Sequence, residues 1–166
     1  MPVSAEVLKS LIESELATVS DARVTAHVRR ALVEPHVVLC NWDYGEPGQQ
    51  HPCWIVLKDA HSGGEIAYCE DGFGPRSPWG LITSVDGDRS MGMDSGWFTT
   101  FLDAFFDSTA CCELPIWRVF SVEPEGTRVP LTDEGTWEST WSNIEDFRNR
   151  YQTNRYECGH SIEYGN

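Results

Sequence analysis

Apolar residues recur at helical spacing in the first part of the chain. Between Ser4 and Val19 they return every three or four positions, and the Ser4 hydroxyl can accept a hydrogen bond at a helix N-terminus. A second helix is predicted from Asp21 to about Val33, where apolar residues return every fourth position. It should end there, because the residue before Pro35 avoids helical backbone angles.

Two further helices are indicated by capping patterns later in the chain. Thr100 stands three residues before Asp103, and phenylalanines follow at helical spacing. Ser142 stands three residues before Glu145, with apolar residues after it at the same spacing. A hydroxyl followed by a carboxylate at this distance can satisfy free backbone N–H groups at a helix start. We therefore predict helices that begin near Thr100 and at Ser142.

The clearest strand pattern lies in residues 53–70, where two apolar runs flank a glycine-containing turn. Pairing Lys58 with Glu65 across this hairpin places opposite charges side by side. In the register that follows, Cys53 and Cys69 lie on opposite faces of the hairpin. Further strands are predicted at His36–Tyr44, Leu81–Val85 and Ile116–Val122.

These elements place the chain in the α+β class. We predict a central antiparallel sheet that contains the β-hairpin at 53–70. Helices from the N-terminus, near 100–110 and near 142–151 should pack against it. The tail after Arg155 shows no clear pattern. With 166 residues and no linker or repeat, the chain is expected to form a single domain over 1–166.

Charge narrows the classes of partner. The formal net charge is −14, with −6 in residues 31–75, −8 in residues 102–147 and near neutrality between these blocks. Nucleic-acid binding is disfavoured, because contacts to phosphates need a surplus of Lys and Arg. The acidic blocks favour a basic protein partner, although acidity can also serve solubility alone.

Cysteine usage and the N-terminus indicate a reducing compartment. Six cysteines in 166 residues are too few for a disulfide scaffold, and the adjacent pair Cys111 and Cys112 has poor disulfide geometry. The chain does not start with the basic and apolar blocks of a secretory signal. Its longest apolar runs, such as Val37–Cys40, are too short to span a bilayer. We expect buried thiols, a cytoplasmic location and no membrane partner.

Glycine and proline alternate with aromatic residues between Tyr68 and Phe98, a composition typical of an ordered loop system. Phe73 and Trp79 are expected at its surface, where rigid rings favour recognition of a protein or a sugar. An equally weighted alternative is a corner that packs the sheet against the helix near Thr100. A cluster of aromatic residues in the middle third of the chain includes Trp42, Tyr44, Trp54, Phe73, Trp79 and Trp97. The predicted binding residues are Glu70, Asp71, Phe73, Arg76, Trp79, Asp94 and Trp97.

Patterns for a metal, a cofactor or a catalytic residue are incomplete. Asp86–Asp94 offers oxygen ligands at calcium-loop spacing, but Met91 replaces the required glycine and Trp97 the bidentate Glu. The cysteines and histidines lack zinc spacing, and no nucleophile-elbow pattern occurs. Glu70 and Asp71 resemble the acid and base of a glycosidase, although adjacent residues at a strand end point apart. We predict no catalytic residue, no metal and no cofactor.

Two stretches of this segment, Tyr68–Leu81 and Gly92–Phe98, resemble small uncharacterised bacterial cytosolic proteins. In size, acidity and α+β pattern the chain is also similar to immunity proteins of bacterial toxin systems. That resemblance implies an acidic inhibitor that covers the active site of a basic toxin domain, and it gives no residue a role. Our leading hypothesis is a non-enzymatic binding protein of this type. The alternatives are a small enzyme or carbohydrate-binding module that uses Glu70, Asp71 and nearby Trp residues, and a homodimer.

Overall fold

Contacts between Cα atoms divide the chain into two units. The first unit, which we call the barrel unit, comprises residues 3–85, 87–92 and 96–111 together with residues 164–165. The second unit is Cys112–Glu163. The expectation of a single domain stays a prediction. The computed structural model describes residues 3–85, 87–92 and 96–165.

Strands of the barrel unit close into a five-stranded barrel in up-and-down order. They are β1 (Leu32–Trp42), β2 (Gln50–Lys58), β3 (Glu65–Tyr68), β4 (Trp79–Val85) and β5 (Asp88–Met91), and a short β6 (Trp97–Phe98) pairs with β4. Successive strands are antiparallel, whereas β1 and β5 close the barrel as a parallel pair. An odd number of up-and-down strands requires this, because the first and last strands point the same way. The α+β class is confirmed, and the sheet predicted as antiparallel is mixed.

A bulge in the central hairpin changes the predicted register. The pair of Lys58 with Glu65 is confirmed, but the register shifts by one residue at Val56. The bulge allows Val56 and both its neighbours to be fully buried, which strict alternation does not allow. Beyond it, the β3 partner of each β2 residue changes by one position. Cys53 and Cys69 therefore share the barrel interior, and the prediction that they lie on opposite faces is wrong.

Helices of the barrel unit begin where their capping residues predict. They are α1 (Ala5–Leu16), α2 (Ala22–Ala31) and α3 (Phe101–Asp107), with a 3-10 turn at Thr109–Cys111. Ser4, Asp21 and Thr100 each accept a backbone hydrogen bond at a helix start. α1 contacts β1 and α3, α2 contacts β2, and α3 contacts β4 and β6. None of the described helices is long and apolar enough to cross a membrane.

A carboxylate of α1 fixes the start of α3. Glu15 accepts hydrogen bonds from the backbone N–H groups of Phe101 and Leu102, at 3.1 and 2.9 Å. Burial raises the pKa of Glu15, against the opposing effect of these hydrogen bonds. The contact orients α3 so that Phe101, Leu102 and Phe105 are fully or almost fully buried.

The second unit is a three-stranded antiparallel sheet with one helix packed on it. Its elements are β7 (Trp117–Val122), β8 (Arg128–Pro130), α4 (Trp137–Arg150) and β9 (Arg155–His160). β7 lies between β8 and β9, and α4 contacts β7 and β9. Val119, Ile144 and Tyr156 form the buried cluster beneath the helix.

One expectation for the end of the chain is wrong, and a segment without a clear sequence pattern forms a strand. α4 begins at Trp137 rather than at Ser142, because Thr136 caps it. Ser142 lies inside the helix, where its hydroxyl donates to the Glu138 carbonyl at 3.2 Å. Within the tail, which shows no clear sequence pattern, Arg155–His160 form strand β9 and pair along the whole of β7.

Candidate binding surface

Aromatic rings from separate parts of the barrel unit meet over the barrel interior, and we call this group the aromatic cap. Trp42 ends β1 and Tyr44 follows it, His51 lies in β2, Phe73 lies between β3 and β4, and Trp97 lies in β6. The Trp42 ring lies 5.3, 5.6 and 5.1 Å from the Tyr44, His51 and Phe73 rings, measured between centroids. Phe73 stacks on Trp97 at 5.3 Å. The five rings therefore form one connected surface.

Two glycines make room for this surface. Gly72 has a φ of +71°, and a Cβ there would lie 2.8 Å from the Met91 methyl carbon and 3.0 Å from the Trp42 ring. A Cβ at Gly80 would lie 2.5 Å from the Trp97 ring, closer than real Cβ contacts. The first glycine lets the loop pass over the barrel in a left-handed conformation, and the second lets Trp97 lie flat on β4.

The aromatic cap has an inner and an outer side. Trp42 and Trp97 are half-buried and pack against the apolar cluster inside the barrel. Tyr44 is 62% exposed and Phe73 41% exposed. Large rings held from below by a closed barrel and open to solvent above are typical of a binding surface.

Carboxylates flank the aromatic cap. Asp43 lies between two cap residues in the chain and accepts a hydrogen bond from the Ser90 hydroxyl. Asp71 lies two residues before Phe73, has a 59% exposed side chain, and is 3.9 Å from the His51 Nδ1 atom. Asp71 therefore places negative charge beside the His51 ring of the aromatic cap, where it can attract a cationic group.

Glu70, on the same loop as Asp71, is held by the buried side chain of Tyr68. The Tyr68 hydroxyl donates a hydrogen bond to Glu70 at 2.7 Å. Burial, together with this hydrogen bond, raises the pKa of Tyr68 to about 12. Tyr68 therefore remains a hydrogen-bond donor at neutral pH and orients the Glu70 carboxylate.

Several of the predicted binding residues come together and others do not. Glu70 and Arg76 are exposed on the loop between β3 and β4. Asp94 lies outside the described residues. Those that lie in or beside the aromatic cap are Asp71, Phe73 and Trp97.

Trp79 lies in the core, and the expectation of a surface position for it is wrong. It is 3% exposed, and its ring packs edge-on against Tyr68 at 4.9 Å and Phe101 at 5.4 Å. The helix that begins at Thr100 brings Phe101 onto this ring from a distant part of the sequence. Trp79 thus supports the loop from within and cannot stack on a ligand.

Three residues of the aromatic cap are absent from the site predicted from the sequence. Trp42, Tyr44 and His51 flank one turn, in which the Trp42 N–H donates to the Gln49 carbonyl at 2.9 Å. Aromatic residues on either side of a tight turn lie at the same end of a strand pair. That pattern was visible in the sequence and places these rings together.

Beneath the aromatic cap lies a group of buried thiols. The Cys53 Sγ atom lies 3.6 Å from the Met91 Sδ atom. Hydrogen bonding to Cys40 and Cys69, together with burial, raises the pKa of Cys53, so this thiol stays protonated. In the described parts of the chain, no group of three or more Cys, His, Asp or Glu side chains is arranged to hold a metal ion. The thiols fill a narrow interior as small apolar groups.

A separate cavity of about 160 Å³ is lined by residues of β3, β4 and the end of α3. Most of its lining is apolar, as at Ile66 and Ile82. Its buried carboxylate, Glu65, is held by Arg89 at 2.7 Å and approached by Lys58 at 3.7 Å. Because this charge is compensated within the protein, the cavity offers less recognition chemistry than the aromatic cap.

Comparison of the chain with protein-family models, with curated proteins and with solved structures gives no match. The function is therefore inferred from the residues of the site. Exposed rings beside carboxylates suit binding of a cationic or planar group.

Proposed function

We propose that this protein is a non-enzymatic acidic binding protein that holds a basic partner protein on its aromatic cap. The observation that carries the proposal is the pairing of exposed rings, Tyr44 and Phe73, with adjacent carboxylates, Asp43 and Asp71. Aromatic side chains dominate interface hot spots, and complementary charge accelerates association. The net charge of −14 adds long-range attraction for a basic protein.

A bacterial toxin domain is the partner class that we favour, with this protein as its immunity-type inhibitor in the cytoplasm. Toxin domains that cleave nucleic acids carry basic surfaces, because they must bind phosphates. An acidic protein can occupy such a surface and exclude the substrate. The α+β fold and the acidity of this chain support that role.

The test is binding to the toxin domain encoded beside the gene for this protein, measured by calorimetry with purified components. Tyr44→Ala and Phe73→Ala should each weaken binding by about 30-fold, as expected for hot-spot rings. Tyr151→Ala is the matched control, because Tyr151 is a 55% exposed aromatic residue of the second unit. It should leave the affinity unchanged.

Charge makes a second, separable contribution. The association rate should fall by about tenfold or more as ionic strength rises. Asp71→Asn should reduce that salt dependence, whereas Glu125→Gln, an exposed acid of the second unit, should reduce it less. A pulldown that recovers no basic protein, from cells whose neighbouring genes encode no toxin, would contradict the proposal.

A carbohydrate-binding module or small enzyme is the second candidate, because sugars also stack on exposed rings. Phe73 and Trp97, with Asp71 and Glu70 nearby, would form that site, without the buried Trp79. Glycan titration followed by tryptophan fluorescence separates the candidates: a saturable response that Phe73→Ala removes favours the sugar. Self-association through the same rings is a third candidate, and light scattering distinguishes a homodimer from a monomer.

A further inference from the structure

The aromatic cap presents its rings at steep angles to one another. The planes of Trp42 and Tyr44 meet at 72°, those of Trp42 and Phe73 at 85°, and those of Tyr44 and Phe73 at 88°. The three centroids lie between 5.1 and 6.1 Å apart. Tyr44 and Phe73 are the exposed rings of the three, and a cation is attracted by a ring face that they present to solvent rather than by a ring edge.

Carboxylates stand beside these rings within two positions along the chain. Asp43 separates Trp42 from Tyr44, and Asp71 precedes Phe73 by two residues. A ring face and a neighbouring carboxylate together match a guanidinium, which can stack on the ring while its edge donates two hydrogen bonds. The ammonium group of lysine is compact and strongly hydrated, and it gains less from a ring face.

The second unit contains a related arrangement within one chain, with an ion pair in place of the two hydrogen bonds. The Arg128 guanidinium carbon lies 4.1 Å from the centroid of the Phe120 ring. The Nε atom of the same arginine lies 3.6 Å from a carboxylate oxygen of Glu157. One guanidinium thus contacts a ring and a carboxylate together, and each component has a counterpart in the aromatic cap.

We propose that the aromatic cap is an arginine-binding site: a guanidinium from the basic partner lies against Phe73 and Tyr44 and pairs with Asp71 or Asp43. This inference rests on the proposed function, since it names the side chain by which the partner is held. It selects partners whose contact surface is rich in arginine over equally basic partners rich in lysine.

The test uses synthetic peptides of equal length and charge, one built on arginine and one on lysine, titrated into the intact protein at fixed ionic strength. Binding is followed by shifts of the tryptophan indole N–H resonances. The arginine peptide should bind about fivefold more tightly than the lysine peptide. Phe73→Leu, which keeps apolar volume but removes the ring, should abolish that preference while charge-driven binding persists.

The matched control is Trp141→Leu in the second unit, where the ring already faces Arg148 of the same chain. This variant should keep the full preference for the arginine peptide. Equal affinity of the two peptides, or a preference that survives both Phe73→Leu and Tyr44→Leu, would overturn the arginine site. If the toxin domain is still bound, these outcomes contradict the arginine site but not the proposed function. Loss of toxin binding with the peptide preference intact would contradict only the proposed function.

Discussion

The charged residues that lie beside aromatic rings differ in sign between the two units. In the second unit, arginines of the same chain lie over two of the rings: Arg148 is 5.4 Å from the Trp141 centroid, and Arg128 is 4.1 Å from the Phe120 centroid. In the barrel unit, the residues that flank the aromatic cap are carboxylates. Rings covered by internal cations contribute to stability, whereas rings beside anions attract a cation from another molecule. Under the proposed function, the same chemistry serves folding in one unit and recognition in the other.

Ion pairs also differ between the units, because the barrel unit contains a buried pair and the second unit an exposed one. The barrel unit holds an ion pair inside, because the Glu65 side chain is only 3% exposed and accepts two hydrogen bonds from Arg89. In the second unit, Arg155 pairs with Glu157 at 2.9 Å, with the arginine side chain 73% exposed. A buried pair is costly to break, whereas an exposed pair contributes little, since water and salt replace it.

The largest expected effect is at the buried pair. Arg89→Met should destabilise the barrel unit by about 3 kcal/mol, because Glu65 is left buried with Lys58 as its remaining basic neighbour. Arg155→Met is the matched control in the second unit and should cost under about 1 kcal/mol. Amide hydrogen exchange measures the opening free energy of each unit on its own residues. If both substitutions lower the opening free energy equally, the buried ion pair contributes no more to stability than the exposed one.

Acid titration sharpens the same contrast. Burial alone would raise the pKa of Glu65, but the hydrogen bonds and charge of Arg89 outweigh it and lower the pKa below its ordinary value. The stabilisation is therefore complete above the unfolded pKa of about 4.3 and is lost as pH falls through the folded value. Glu65→Gln should flatten the loss of barrel-unit stability below about pH 4. An unchanged acid limb in this variant would show that Glu65 does not titrate as the geometry implies.

Local features of the fold were predictable from the sequence, and long-range ones were not. The caps at Ser4 and Thr100 depend on a few adjacent residues and are confirmed, and the second helix starts next to Asp21, where its pattern predicts it. The start of α4 was misplaced because Ser142 has the same local capping pattern as a true N-cap. The residue that caps α4, Thr136, is followed by no carboxylate three positions later.

The candidate site shows the same limit. Phe73 and Trp79 lie six residues apart with similar Gly- and Pro-rich neighbours, yet Phe73 is exposed in a loop and Trp79 is buried at the start of β4. The difference arises from Phe101, a residue of α3 that reaches Trp79 only in the folded chain. The bulge at Val56 was likewise not predicted from the sequence. Strict alternation buries every second residue of a strand, whereas the bulge lets β2 bury three consecutive residues.

The next effect concerns how the aromatic cap is held. Gly80→Ala should destabilise the barrel unit by about 1–3 kcal/mol, because the new Cβ would enter the space of the Trp97 ring. It should also weaken binding at the aromatic cap, since Phe73 stacks on Trp97. Denaturant unfolding and peptide titration measure the two effects. Trp97→Leu in the Gly80→Ala background should recover part of the stability but none of the binding.

This prediction is wrong if Gly80→Ala changes neither the stability of the barrel unit nor binding at the aromatic cap. In that case Trp97 would adjust without strain, and the aromatic cap would be a loose collection of rings. Gly63→Ala controls for the general cost of replacing a turn glycine, because a Cβ there meets no atom within 4 Å although φ is +76°. It should cost about 1 kcal/mol through backbone strain alone and leave binding unchanged.

The smallest expected effect tests the internal cation of the second unit. A double-mutant cycle with Trp141→Leu and Arg148→Met should give a coupling energy of about 0.5 kcal/mol, since the ring is 41% exposed. The cycle is needed because Arg148 also lies in the last turn of α4, where its charge favours the helix dipole whatever residue stands at 141. Hydrogen exchange within α4 supplies the four stabilities. A coupling of zero would mean that this arginine does not cover the ring, and the aromatic surfaces of the two units would then differ only in the charge beside them.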